Sequence, residues 1–88
     1  MSRKRALKKE IRIIASELLA ECVAMIQSGE KDLQDGQALL FCIVKFQDDF
    51  LSRVSHVEPG MAAKKYYSTL REDCANQACS LSDQILNA

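Results

Sequence analysis

The chain is poor in residues that break secondary structure and in residues that most catalytic sites use. Its 88 residues include three glycines, one proline, one histidine and no tryptophan. An all-β fold needs more turn residues than this, and a disordered chain has fewer hydrophobic residues than the 48% found here. A chain of this length corresponds to one domain. The sequence therefore predicts a single folded domain over residues 1–88.

Long uninterrupted hydrophobic runs are also missing. The apolar positions that follow the basic start are interrupted by Arg12, Glu17 and Glu21, so neither a membrane span nor a signal peptide is predicted. We therefore expect a cytoplasmic protein that does not contact a membrane. In that compartment the four cysteines are expected to be free thiols, most of them buried.

The most informative stretch runs from residue 37 to residue 54 and reads QALLFCIVKFQDDFLSRV. Steps of four, three, four and four place five of its apolar residues on one side of an α-helix: Leu39, Ile43, Phe46, Phe50 and Val54. The second half of the stretch is amphipathic, whereas residues 38–44 are all apolar. A helix that is apolar all round must be covered on more than one side. This stretch is therefore interpreted as the central helix of a bundle.

Two further stripes with helical spacing flank the central one. The first contains Leu7, Ile11, Ile14, Leu18, Cys22 and Met25, and the third contains Ala63, Tyr67, Leu70, Cys74, Ala78, Leu81 and Ile85. We expect helices near residues 4–27, 33–54 and 60–86. Because short links favour antiparallel neighbours, the predicted fold is an all-α, up-down-up three-helix bundle.

Residues suited to helix ends stand between the stripes. Gly29 is expected to end the first helix, since glycine accepts a left-handed backbone at no steric cost. Either Asp32 or Asp35 can cap the second helix, because a carboxylate accepts hydrogen bonds from unpaired backbone N–H groups. Pro59 is expected to be the first residue of the third helix, where its missing N–H is not needed.

The residues offer little chemistry for catalysis. His56 stands near Ser52, Ser55 and Glu58, but all four lie within seven residues of one another, with no pocket implied around them. No phosphate-binding loop is present, and the spacing of the cysteines does not suit zinc. We expect no catalytic residue, metal, cofactor or small-molecule substrate. An enzyme built around His56 is the least favoured of three alternatives.

Charge is unevenly distributed along the chain. Residues 1–12 carry six basic side chains and one acidic side chain, whereas residues 13–88 carry six basic and eleven acidic ones. Clustered Lys and Arg residues contact phosphates in nucleic-acid-binding proteins. The alternative prediction is therefore a small nucleic-acid-associated protein that uses the basic N-terminal segment: Arg3, Lys4, Arg5, Lys8, Lys9 and Arg12. The acidic remainder and the lack of aromatic residues in this segment argue against it.

Surplus apolar surface is the strongest indication of function. The first helix and residues 38–44 have more apolar positions than a three-helix bundle needs to bury. Either helix 3 or a link covers Phe41, or a partner does, and the partner is a second copy or another protein. The favoured prediction is a non-enzymatic interaction module that self-associates through helices 1 and 2, pairing two bundles into a symmetric dimer. The predicted interface residues are Phe41, Cys42, Ile13 and Ala38.

Overall fold

The structure, a computed structural model, describes residues 3–57 and 60–87. It contains α1 (Arg3–Gln27), α2 (Leu33–Ser55) and α3 (Ala63–Leu86), and each helix packs against the other two. Across the two described ranges there is no strand. The molecule measures 47 × 22 × 15 Å along its principal axes. The predicted all-α three-helix bundle is therefore confirmed.

The core is built from one stripe of each helix, as the spacing of apolar residues predicted. The buried hydrophobic residues are Leu7, Ile11, Ala15, Leu18, Cys22, Ile43, Phe46, Phe50, Val54, Leu70, Cys74, Leu81 and Ile85. Phe46 and Phe50 place their ring centroids 5.1 Å apart in a tilted arrangement. Side-chain burial of this kind supplies most of the stability of a helical bundle.

Two contacts fix the relative direction of α1 and α3. Arg71 pairs with Glu10 at 3.3 Å, and the hydroxyl of Ser82 donates to Glu21 at 3.5 Å. The same offset of 61 positions separates the partners in both contacts. The two helices therefore run in the same direction and in register. Since short links join α2 to both, α2 runs the opposite way.

The helix starts differ in part from those predicted. Asp32, not Asp35, is the N-cap of α2, and its side chain accepts a hydrogen bond from the N–H of Gln34 at 3.1 Å. Helix α3 begins three residues later than expected, at Ala63, because Gly60 has a φ of +86° that a helix cannot contain. The prediction for Pro59 lies outside the described residues.

Side chains from other elements satisfy the last carbonyls of α2 and α3. The Tyr66 hydroxyl lies 2.8 Å from the carbonyl oxygen of Arg53 and 3.0 Å from that of His56. The ammonium group of Lys31, in the first link, donates to the carbonyls of Gln84 and Asn87. The link around Lys31 reads as a polar, solvated connection, yet this side chain is only 8% exposed.

Helices α1 and α2 approach each other closely at Gly36. A Cβ atom at this position would overlap the side chain of Ile26, so only glycine leaves enough room. The thiol of Cys22 donates to the carbonyl oxygen of Gly36 at 3.5 Å. Gly36 therefore fixes the packing of α1 and α2 in this half of the bundle.

Candidate interaction surfaces

Phe41 points away from the core. Its side chain is 64% exposed, and the Nζ of Lys45 lies 5.5 Å from the centroid of its ring. Phe41 stands two residues before the fully buried Ile43, which is a rotation of about 200° around the helix. Neither α3 nor a described part of a link covers this ring, so burial within the bundle does not explain Phe41.

The apolar stretches of α1 and α2 are not covered on every side within the chain. In α1 the core stripe is buried, but Ile13 is 48% exposed and Val23 is 40% exposed. In α2, Val44 is 46% exposed although its spacing places it beside the core stripe. Three helices enclose only the core stripes that face one another. Side chains that flank these stripes on α1 and α2 therefore remain exposed to water.

The four predicted interface residues are all exposed, but they do not form one patch. Ala38 and Phe41 are neighbours on the outer side of α2, three residues apart. Cys42 instead lines a groove between α2 and α3, and Ile13 lines a shallow depression on α1. Val23 and Val44 are further exposed residues, which the predicted interface did not include. Their distance from the centre of each stripe was the signal that could have identified them.

One half of the α1–α2 pair is almost without charge. Residues 18–29 contain one charged side chain, Glu21, and residues 33–44 contain one, Asp35. These two stretches pack on each other through Gly36 and Ile26. Glu21 accepts a hydrogen bond from Ser82 and so points towards α3. In a chain with 27% charged residues, this outer surface is unusually neutral.

The six basic residues of the N-terminal segment do not share one surface. Arg3 lines a depression together with four residues of α3: Lys64, Tyr67, Ser68 and Arg71. Lys9 and Arg12 line a different depression, on α1 itself. The structure therefore joins part of the basic segment to basic residues of α3 that are about 60 positions away in the sequence.

A groove of about 530 Å³ lies beside His56, where α2 ends and α3 begins. The Nδ1 atom of His56 lies 2.8 Å from the backbone carbonyl oxygen of Ser52, and the Ser55 hydroxyl donates to the carbonyl of Leu51. The imidazole is therefore bonded to the main chain and not to a serine hydroxyl. Glu58, the acidic residue that stands near His56 in the sequence, lies outside the described residues.

The cysteines fall into two classes. Cys22 and Cys74 are buried, whereas Cys42 and Cys79 are exposed, and all four are free thiols. Burial raises the pKa of Cys22, and the nearby charge of Lys31 only partly opposes this effect. Burial and then the charge of Glu10 raise the pKa of Cys74. The expectation that most of the cysteines are buried was therefore wrong, since two of the four are exposed.

The described residues contain no group of three or more His, Cys, Asp or Glu side chains arranged to hold a metal ion. None of the three helices is long and apolar enough to cross a membrane, as judged over the same residues. Comparisons with protein-family models, with curated proteins and with solved structures found no match to this chain.

Proposed function

We propose that the protein is a cytoplasmic, non-enzymatic helical interaction module that self-associates through the outer faces of α1 and α2. The observation that carries this proposal is the exposed ring of Phe41 on a nearly uncharged half of the α1–α2 pair. We define the neutral face as the exposed residues Ala20, Val23, Ala24, Gln37, Ala38, Phe41 and Val44. Apolar surface that one bundle cannot cover is favourable to bury against a partner.

Phe41 is the natural centre of such an interface. Aromatic side chains bury large areas and lose few rotamers, so they often carry much of the binding energy. Burying a Phe side chain contributes about 1.5–3 kcal/mol, and a symmetric dimer would bury two. Val44, Ala38 and Gln37 lie within one turn of Phe41 and supply small or uncharged neighbours around it.

Charge along the outer line of α2 favours a second copy of the chain in an antiparallel arrangement. A two-fold axis at Phe41 places Lys45 opposite Gln37 of the other copy, because the two are four residues on either side of the axis. By the same symmetry, Asp48 lies opposite Gln34. No like charges meet in this register, whereas parallel helices would oppose Lys45 to Lys45 and Asp48 to Asp48. A two-fold pairing is also closed, because the same patch of each copy is buried against the other.

The substitution Phe41→Lys tests self-association. Sedimentation should show a dimer for the wild-type protein and a monomer for Phe41→Lys, while thermal melting of the dilute proteins should be similar. Leu86→Lys is the matched control, since Leu86 is 59% exposed on α3, outside the neutral face. A wild-type protein that sediments as a monomer at high concentration would refute self-association. Equal dissociation by Leu86→Lys would refute the assignment of the interface.

Disulfide trapping tests the antiparallel register. In a background with Cys42→Ser and Cys79→Ser, the variants Gln37→Cys and Lys45→Cys should cross-link rapidly when mixed. Each variant alone should cross-link slowly, because an antiparallel pairing separates identical positions on either side of Phe41. Rapid cross-linking of Lys45→Cys with itself would indicate parallel helices and contradict the proposed register.

A further inference from the structure

A second surface lies at the end of the bundle where α1 and α3 begin. Arg3, Lys64 and Arg71, which we call the basic end, surround a depression of about 270 Å³ together with Tyr67 and Ser68. The 61-position offset between α1 and α3 brings Arg3 and Lys64 to the same level of the bundle, and both line this depression. Two positive charges from separate helices therefore meet at this point.

Among the described residues, no carboxylate forms an ion pair with Arg3 or Lys64. Further along the same pair of helices, Arg71 lies beside Glu10 and forms an ion pair with it. At the level of Arg3 the equivalent position holds Lys64, so opposite charges are replaced by like charges. Adjacent like charges destabilise a folded chain slightly. An anion bound between them would remove this repulsion.

Positive charge continues around the first turns of α1. Ten of the twelve basic residues lie in the half of the bundle that contains the basic end: Arg3, Lys4, Arg5, Lys8, Lys9, Arg12, Arg53, Lys64, Lys65 and Arg71. Half of the acidic residues lie in the opposite half: Glu17, Glu21, Glu30, Asp32, Asp35 and Asp83. Five other acidic residues lie in the same half as the basic end, so the separation is partial, but this half holds ten basic side chains against five described acidic ones: Glu10, Asp48, Asp49, Glu72 and Asp73.

We propose that the basic end binds the phosphate backbone of a nucleic acid. A series of phosphates matches several positive charges spread over two helices, whereas a single small anion would need only one pocket. The depression has no aliphatic side chain in its lining, which disfavours insertion into a lipid surface. The Tyr67 hydroxyl lies 3.4 Å from the carbonyl oxygen of Val54, so its ring is anchored to the bundle. Recognition would therefore depend on charge and not on base sequence.

Binding of a short labelled DNA duplex across a series of salt concentrations tests this proposal with the full chain. Arg3→Gln and Lys64→Gln should each weaken binding about five- to tenfold at low salt and reduce the log–log salt slope by about one. Glu30→Gln is the control, since Glu30 is an exposed residue of the first link, at the opposite end of the bundle from the basic end, and its replacement also changes the charge by one unit. It should leave both quantities unchanged. Circular dichroism verifies that each variant remains helical.

Three outcomes would overturn the proposal. The first is wild-type affinity and salt slope in both Arg3→Gln and Lys64→Gln. The second is equally tight binding of polyglutamate, which would indicate an acidic protein as the partner. The third is equally tight binding of vesicles rich in phosphatidylserine, which would indicate a membrane surface. The mass of both variants should remain that of the wild-type protein, so this test is independent of self-association through Phe41.

Discussion

The ammonium group of Lys31 lies 2.8 Å from the carbonyl oxygen of Asn87, and thereby joins the first link to the end of the last helix. The same group donates to the carbonyl of Gln84 at 3.1 Å. The last carbonyls of a helix have no partner within it, and the negative end of its dipole favours a cation. Lys31 is therefore an external cap for α3.

Replacing Lys31 with Met should destabilise the bundle by about 1–3 kcal/mol, because charged hydrogen bonds to partly buried carbonyls are lost while the aliphatic chain is kept. For a domain of this size, a loss of 1 kcal/mol lowers the melting temperature by about 4–8 °C. Urea and thermal unfolding measure the effect. Lys65→Met is the control, since Lys65 is exposed on α3, and it should change stability by less than about 0.5 kcal/mol. Equal stability of the two variants would contradict the capping role.

Replacing Gly36 with Ala should destabilise the protein, although Ala is ordinarily the better helix former by about 1 kcal/mol. The added methyl group would overlap Ile26, and such overpacking costs about 1–3 kcal/mol. Denaturant unfolding of Gly36→Ala, Ile26→Ala and the double variant forms the test. In the Ile26→Ala background, Gly36→Ala should be neutral or stabilising. A destabilisation that persists in this background would assign the cost to a contact other than Ile26.

The thiols should react with a disulfide reagent in two kinetic classes at neutral pH. Cys42 and Cys79 should react rapidly because they are exposed. Cys22 and Cys74 should react slowly, since burial raises their thiol pKa and so lowers the fraction of reactive thiolate. In denaturant all four thiols should react rapidly. Variants with Cys42→Ser and Cys79→Ser should lose the rapid class alone, and a rapid phase that survives both changes would contradict the assignment.

Periodicity predicted most of the fold because the core of a helical bundle consists of regularly spaced residues. Leu70, Cys74, Leu81 and Ile85 are the buried residues of α3, and all four lie on its predicted stripe. The antiparallel arrangement of neighbouring helices followed from the short links between the stripes. The choice between Asp32 and Asp35 could not be made from sequence, because both carboxylates precede the same apolar run and only backbone geometry separates them.

Periodicity could not indicate contacts that cross between helices. Nothing in the first link marks Lys31 as buried, since its acceptors are backbone carbonyls more than 50 positions away. The proximity of Arg3 to Lys64 depends on the register of α1 against α3, which the side chains of neither helix reveal alone. Val44 follows the buried Ile43 directly, but its exposure depends on where the neighbouring helices lie.

The two external caps make the ends of α2 and α3 depend on residues from other segments. The end of α2 depends on Tyr66 from α3, and the end of α3 depends on Lys31 from the link that precedes α2. A hairpin of α1 and α2 alone would leave the carbonyls of Arg53 and His56 without the hydroxyl that serves them. The hairpin of α1 and α2 is therefore not a complete structural unit, and opening at either end of the bundle exposes the main chain of a helix that another segment had capped.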